Sequence, residues 1–246
     1  MKPSLVHHLA PLGTTVFAQY SALALATNSI NLGQGYPDTD GPLWIREAAS
    51  RAILEGRGNQ YPPGLGIPEL RNAIVAHQKR WYALDYDPNT EVLVTAGATE
   101  ALTSALISLV DTGDEVIALE PFYDSYRAAI TMARGRVVPV TLQGPDYALD
   151  LDTLSRAVTK RTKILLINTP HNPTGAVLSR AECAEIARLA IEHDLIVISD
   201  EVYEHMAFDR EHIPLASFPG MKERTLTISS AGKLFSLTGW KIGCTA

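Results

Sequence analysis

The chain has 246 residues, 46% hydrophobic and 20% charged, which is ample for one globular domain with a real core. A net charge of -6 leaves no electrostatic footprint for nucleic acid or an anionic membrane surface. Two cysteines, Cys183 and Cys244, give neither a disulfide framework nor zinc-ligand spacing, and no early apolar run is long enough for a signal peptide or membrane span; a cytoplasmic protein acting on small molecules is expected.

Residues 1–31 are mixed in pattern, with a short helix predicted through FAQYSALALA, and read as an arm or small-domain segment. After the loop INLGQGYPDTDGP, the stretch PLWIREAASRAILEG predicts a helix with Pro42 in its first turn and Gly56 at its close. Beyond the loop NQYPPGLGIPEL, Pro68 starts a helix to about Tyr82. From Glu91 short β-rich apolar runs alternate with helices: EVLVT, DEVIALE, VVPVT, KILLIN, LIVIS and TLTIS are the strands. That rhythm predicts an α/β fold, a mostly parallel mixed sheet with helices on both faces. The helix after Ser179 carries a capping box, SRAE, and an apolar stripe of Cys183, Ile186, Ala187, Ala190 and Ile191, which places Cys183 in the core. The final WKIGCTA reads as a strand returning to the sheet.

In open α/β sheets ligands sit outside the carboxyl ends of the strands, and here each predicted strand end offers a different polar tool. AGATEA follows EVLVT and presents helix N-terminal N–H groups suited to a phosphate. Phe122 and Tyr123 follow VIALE, Asn172 sits in the turn TPHNPTG, Asp200 with Tyr203 follows LIVIS, and Lys233 follows TLTIS. Each has a plain alternative: a helix start, a Pro-Gly turn, a capping aspartate, core aromatics, a solvated lysine. Glu201 and His205 have the spacing of helical metal ligands, but no third ligand is evident and no metal is expected.

The stretch SSAGKLFSLTGWKIG resembles the lysine signature of the class I and II aminotransferases, pyridoxal 5′-phosphate (PLP) enzymes of fold type I. Ser230, Lys233, Leu234 with Phe235, Thr238 to Trp240, Lys241 and Gly243 stand in that family's order. LGQGYPD, NQYPPGLG, EPFYDSY, PHNPTG and SDEVYEH also occur in family order, and the resemblance covers most of the chain from Asn31. It implies a PLP-binding large domain over residues 32–246, following the 1–31 arm. It further implies that Lys233 carries PLP covalently and moves the substrate proton, and that Asp200 keeps the pyridine nitrogen protonated. Asn172 and Tyr203 are expected on the ring oxygen and Tyr123 on the ring face. Ala98, Thr99, Ser230 and Lys241 are expected on the phosphate, and Gly35, Asn172 and Phe17 on the substrate. Tyr61 is expected to reach the phosphate of a neighbouring subunit, which implies a homodimer.

Within the family the sequence is similar to the branch of N-succinyldiaminopimelate aminotransferases and kynurenine or glutamine transaminases. The GATEAL and FYDSY segments favour the succinylated substrate, with 2-oxoglutarate and glutamate as the partner pair. Kynurenine-, glutamine- or methionine-type transamination, a cysteine-conjugate β-lyase and a non-catalytic PLP-binding module are the alternatives. Family members continue beyond position 246 into a C-terminal small domain that supplies the carboxylate-binding arginine. The chain is therefore expected to be truncated, to expose apolar surface and to turn over weakly or not at all by itself.

Overall fold

Strand and helix alternate through the chain because apolar runs of five to seven residues, bounded by turn residues, alternate with 3.6-residue periodicity. The computed structural model describes residues 6–246, so residues 1–5 of the expected arm lie outside the described residues. Three helices come first: α1 (Val16–Thr27), α2 (Leu43–Leu54) and α3 (Pro68–Tyr82). Pro42 is the N-cap of α2 rather than part of its first turn, whereas Pro68 does sit in the first turn of α3. The alternating region runs β1 (Leu93–Thr95), α4 (Ala98–Leu109), β2 (Glu115–Glu120), α5 (Asp124–Met132), β3 (Arg136–Thr141), α6 (Leu151–Ala157) and β4 (Thr162–Asn168). It continues with α7 (Arg180–Glu192), β5 (Ile196–Asp200), β6 (Thr225–Ser230), the single turn α8 (Ala231–Leu234) and β7 (Gly243–Thr245).

The strands form one seven-stranded sheet in the order β1-β7-β6-β5-β4-β2-β3. Pairings β2–β3, β2–β4, β4–β5 and β5–β6 are parallel, while β7 runs antiparallel between β1 and β6. The sheet is thus mixed and mostly parallel, and the returning strand expected from WKIGCTA is present as β7.

Both faces of the sheet are covered, and the alternation of side chains along each strand divides the core in two. Ile117, Leu119, Leu165, Ile167 and Val197 pack with Leu154 of α6 and with Cys183, Ile186 and Leu189 of α7. Val116, Ala118, Ile164, Leu166 and Ile198 pack on the other side with Leu102 and Leu106 of α4 and with Tyr126 and Ile130 of α5. Each fully buried Leu or Ile contributes about 1.5–3 kcal/mol, so the central strands β2, β4 and β5 anchor the fold. Their carboxyl ends are thereby fixed as a rigid rim.

The capping box of α7 is formed: the Ser179 hydroxyl accepts from the Glu182 N–H, and Glu182 accepts from the Ser179 N–H at 2.7 Å. The apolar stripe of α7 differs from expectation at one position. Ile191 is 46% exposed, beside Gly220, and Leu189 occupies the core instead. Helix α6 is absent from the expected elements; Asp150 caps it by accepting from the N–H groups of Asp152 and Thr153.

Candidate active site

The carboxyl ends of β4, β5 and β6 and the amino end of α4 converge on one group of polar side chains. Asp200 ends β5 and is 8% exposed. Its Oδ2 accepts from the Tyr126 hydroxyl at 2.5 Å and its Oδ1 from the Val202 N–H at 3.3 Å. Burial raises the Asp200 pKa, while the Tyr126 and Val202 hydrogen bonds and the charge of Lys233 pull it back. Burial also drives the Tyr126 phenol far above its ordinary value, with Asp200 adding to the shift, so Tyr126 is a permanent donor.

Lys233 lies in α8, one helical turn at the end of β6. Its Nζ sits 5.3 Å from the centroid of the Tyr203 ring. Tyr123 meets Tyr126 edge-on at 5.9 Å between centroids, and Phe17 lies 6.2 Å from Tyr123. Lys233, Tyr203, Asp200, Tyr126, Tyr123 and Phe17 therefore form a connected group, in which Tyr126 was not expected from the sequence.

Asn172 is joined to the group through another unexpected residue, Asn168, which is 3% exposed at the end of β4. Asn168 Nδ2 donates to the Asp200 carbonyl at 2.8 Å, and its Oδ1 accepts from the Asn172 N–H at 2.7 Å. One buried amide thus sets the spacing between the β4 and β5 ends.

A second cluster lies at the start of α4. Gly97 holds φ at 86°, and no side chain caps the helix, which leaves the first N–H groups, at Ala98 and Thr99, available to an anion. The Lys241 side chain runs beside it: a Cβ built on Gly97 would lie 3.7 Å from Lys241 Cδ. Gly243 packs so closely that a Cβ there would stand 2.5 Å from the Ala98 nitrogen. Ser230 links the two clusters as the N-cap of α8, accepting from the Lys233 N–H and donating to the Ile242 carbonyl, both at 3.4 Å. Its hydroxyl is thus engaged in holding the lysine turn.

Two expected residues stand apart. Tyr61 is fully exposed and touches none of these groups within its own chain, and Gly35 lies in an exposed loop with open space around its Cα. Glu201 also departs from the expected helical pair with His205, because its Oε2 lies 2.8 Å from His212 Nε2 in a buried contact.

This donor set fits PLP. A buried carboxylate can face a ring N–H, an amine lies nearby, aromatic rings flank it, and an uncapped helix N-terminus beside a lysine suits a phosphate.

A profile described as aminotransferase class I and II matches residues 27–246. The chain is 56% identical over 241 residues to a probable N-succinyldiaminopimelate aminotransferase of Mycobacterium tuberculosis, spanning 97% of this chain and 60% of that relative. It is 42% identical to a methionine aminotransferase of Escherichia coli, covering 96% of this chain and 61% of the relative. A solved structure of the M. tuberculosis N-succinyldiaminopimelate aminotransferase superposes with a TM-score of 0.95 at 55% identity, covering 99% of this chain and 64% of that one. The chain thus spans about 60% of the length of the curated relatives it matches.

Proposed function

Because the chain belongs to the class I and II aminotransferases, a PLP-dependent family, we propose that it carries the cofactor and proton-transfer half of an aminotransferase site. The observation that carries this reading is the buried Asp200 carboxylate, held by Tyr126 and lying within the electrostatic reach of Lys233. When bound, PLP supplies an electron sink for negative charge at the substrate Cα. Lys233 Nζ holds the cofactor and takes the proton from that Cα. Asp200 accepts a hydrogen bond from the ring nitrogen and holds its proton in place. Asn172 and Tyr203 orient the ring oxygen, and Tyr123 covers the ring face. Ala98, Thr99, Ser230 and Lys241 hold the phosphate, Ser230 by turning to a phosphate oxygen the O–H that otherwise donates to the Ile242 carbonyl, while it still caps the Lys233 N–H. Phe17 and Gly35 border the substrate.

The reaction is transamination between an amino acid and a 2-oxo acid, with N-succinyldiaminopimelate and the 2-oxoglutarate/glutamate pair as substrates. The higher identity to the succinyldiaminopimelate relative than to the methionine relative supports that choice, 56% against 42%. The protein works as a cytoplasmic homodimer in which Tyr61 completes the partner's phosphate site; its full exposure in one chain supports that role. Residues 1–31 act as an arm and residues 32–246 as the PLP-binding large domain. Two free, buried cysteines fit a reducing compartment, and no helix among the described residues is long and apolar enough to cross a membrane.

The test is to add PLP to the purified chain, reduce with borohydride and map the modified peptide by mass spectrometry. One phosphopyridoxyl group on Lys233, lost in Lys233→Ala, is expected. Labels scattered over surface lysines, or an unchanged adduct in Lys233→Ala, would overturn the assignment. Turnover of kynurenine or methionine without turnover of the succinylated substrate would overturn the substrate choice alone.

A further inference from the structure

Beyond Asp200 and Tyr203 the chain brings Glu204 and His205 against α3. His205 Nε2 lies 2.8 Å from His77 Nε2, with the two rings edge-on at 5.1 Å. Trp81 walls the pair from one side, 5.0 Å from the His205 ring. Glu204 reaches the same place from a buried position, 7% exposed. Ser229 donates to its Oε1 at 3.2 Å, whereas Oε2 is buried without a well-formed hydrogen bond, the Tyr82 phenol being close enough to act on the carboxylate but not aligned to satisfy that oxygen. A buried carboxylate oxygen left unpaired is costly, and such an oxygen calls for a proton or a cation. The ligand atoms of all three residues lie within 4.8 Å of one another.

We propose that His77, Glu204 and His205 form a binding site for a divalent transition-metal cation, zinc by chemistry, with water in the fourth position. Two imidazoles and a carboxylate are a donor set suited to zinc, with one open position on the ion. Bonds of about 2.0–2.1 Å in tetrahedral geometry separate ligand atoms by roughly 3.3–3.5 Å. The imidazole nitrogens need to part by about half an ångström for a metal to enter. The half-exposed His205 side chain has room for that shift at the surface. Ser229 already fixes the carboxylate from behind, as outer partners of metal ligands commonly do.

The protonation states favour the ion. Burial lowers the pKa of both imidazoles, and His77 is lowered further by His205, which favours neutral rings; without an ion one Nε2–H donates to the other, and an entering metal requires that ring to carry its proton on Nδ1 instead. Glu204 is pushed up to about 7, chiefly by burial, with Glu201 adding to the rise and Tyr82, His212 and Ser229 opposing it. Such an ion would tie α3 to the segment that follows β5, the segment bearing Asp200 and Tyr203. It is distinct from the PLP site and needs no substrate.

The experiment is calorimetric titration of zinc chloride into the chelator-treated chain, repeated with cobalt chloride to record the visible absorption of a four-coordinate site. One equivalent of zinc is expected. Affinity should fall at least about tenfold in His205→Gln, His77→Gln and Glu204→Gln and stay unchanged in the double variant His7→Ala, His8→Ala. His205 is exposed, so His205→Gln keeps the fold intact and far-UV circular dichroism verifies that. Absence of stoichiometric binding, binding indifferent to all three substitutions, or binding lost with His7 and His8 would each overturn the proposal.

Discussion

Asp200 is set by Tyr126, whose phenol stays protonated and donates to a carboxylate whose pKa burial raises. Tyr126→Phe deletes that donor without changing the ring. The sign follows from the cause: the hydrogen bond favours the charged carboxylate, so its loss raises the Asp200 pKa further. Asp200 then protonates at higher pH, and PLP binding fails earlier as pH falls. We expect about tenfold weaker PLP affinity at neutral pH and an upward shift of the acidic limb, read by absorbance titration at a series of pH values. An unshifted limb would remove Tyr126 from this role. Lys233, Asp200, Tyr203 and Asn172 could be proposed from the sequence because each stands at, or a few residues beyond, the end of a strand whose apolar run is plain, and because their segments resemble a known family. Tyr126 and Asn168 were not, since their value lies in contacts to residues 74 and 32 positions away. His77 was hidden in the same way, 128 residues from His205.

At the scale of elements, the start of α4 and the start of β7 are one unit. A Cβ on Gly243 would lie 2.4 Å from the Gly97 carbonyl carbon, closer than carbon atoms tolerate, so glycine is required there by contact rather than by backbone angle. Gly243→Ala must push β7 away from α4 and spread Lys241 from Ala98 and Thr99. Overpacking of this kind costs about 1–3 kcal/mol, to be read from the denaturant midpoint. PLP affinity should fall alongside it, and a variant of wild-type stability would contradict the tight packing. The sequence shows the helices and strands well where period and caps agree, as at Ser179 and Pro68. It misplaces Ile191, because a buried arc only two residues wide at the helix end does not reveal which edge it follows. It is silent on α6, whose two turns are too short to display a period.

For the whole molecule, the accessible surface is 14458 Å², against about 10,700 Å² for a compact monomer of 26.7 kDa. The surplus is rich in apolar side chains. Helices α1 and α2 contain no buried residue, and Leu25, Ile30, Leu32, Trp44 and Leu54 stand in the open. A standard interface covers about 800 Å² per partner, so the surplus is sufficient for a large, obligate one. The proposed homodimer is one way to cover this surface; the additional length of the relatives, which this chain does not span, is another. Sedimentation equilibrium at micromolar concentration should give twice the chain mass, and an active monomer would sink the shared-site reading. The parallel sheet was readable from composition and rhythm. Exposed apolar surface was expected from the family resemblance, but not that α1 and α2 carry it, because exposure depends on what packs against a helix and not on its own residues.

The position of β7 between β1 and β6 also governs the order in which the protein can be made. β1 enters the sheet only through β7, by pairing Leu93 with Thr245. The anion-binding turn at Gly97 is synthesised early, yet it has no neighbour to settle against until residues 241–245 emerge. A ribosome-bound chain halted before that point would hold β2 to β6 in register while leaving β1 and the start of α4 without their place in the sheet. Closing so long a loop is entropically slow, and the proposed phosphate-binding turn therefore settles after strands β2 to β6 rather than with them.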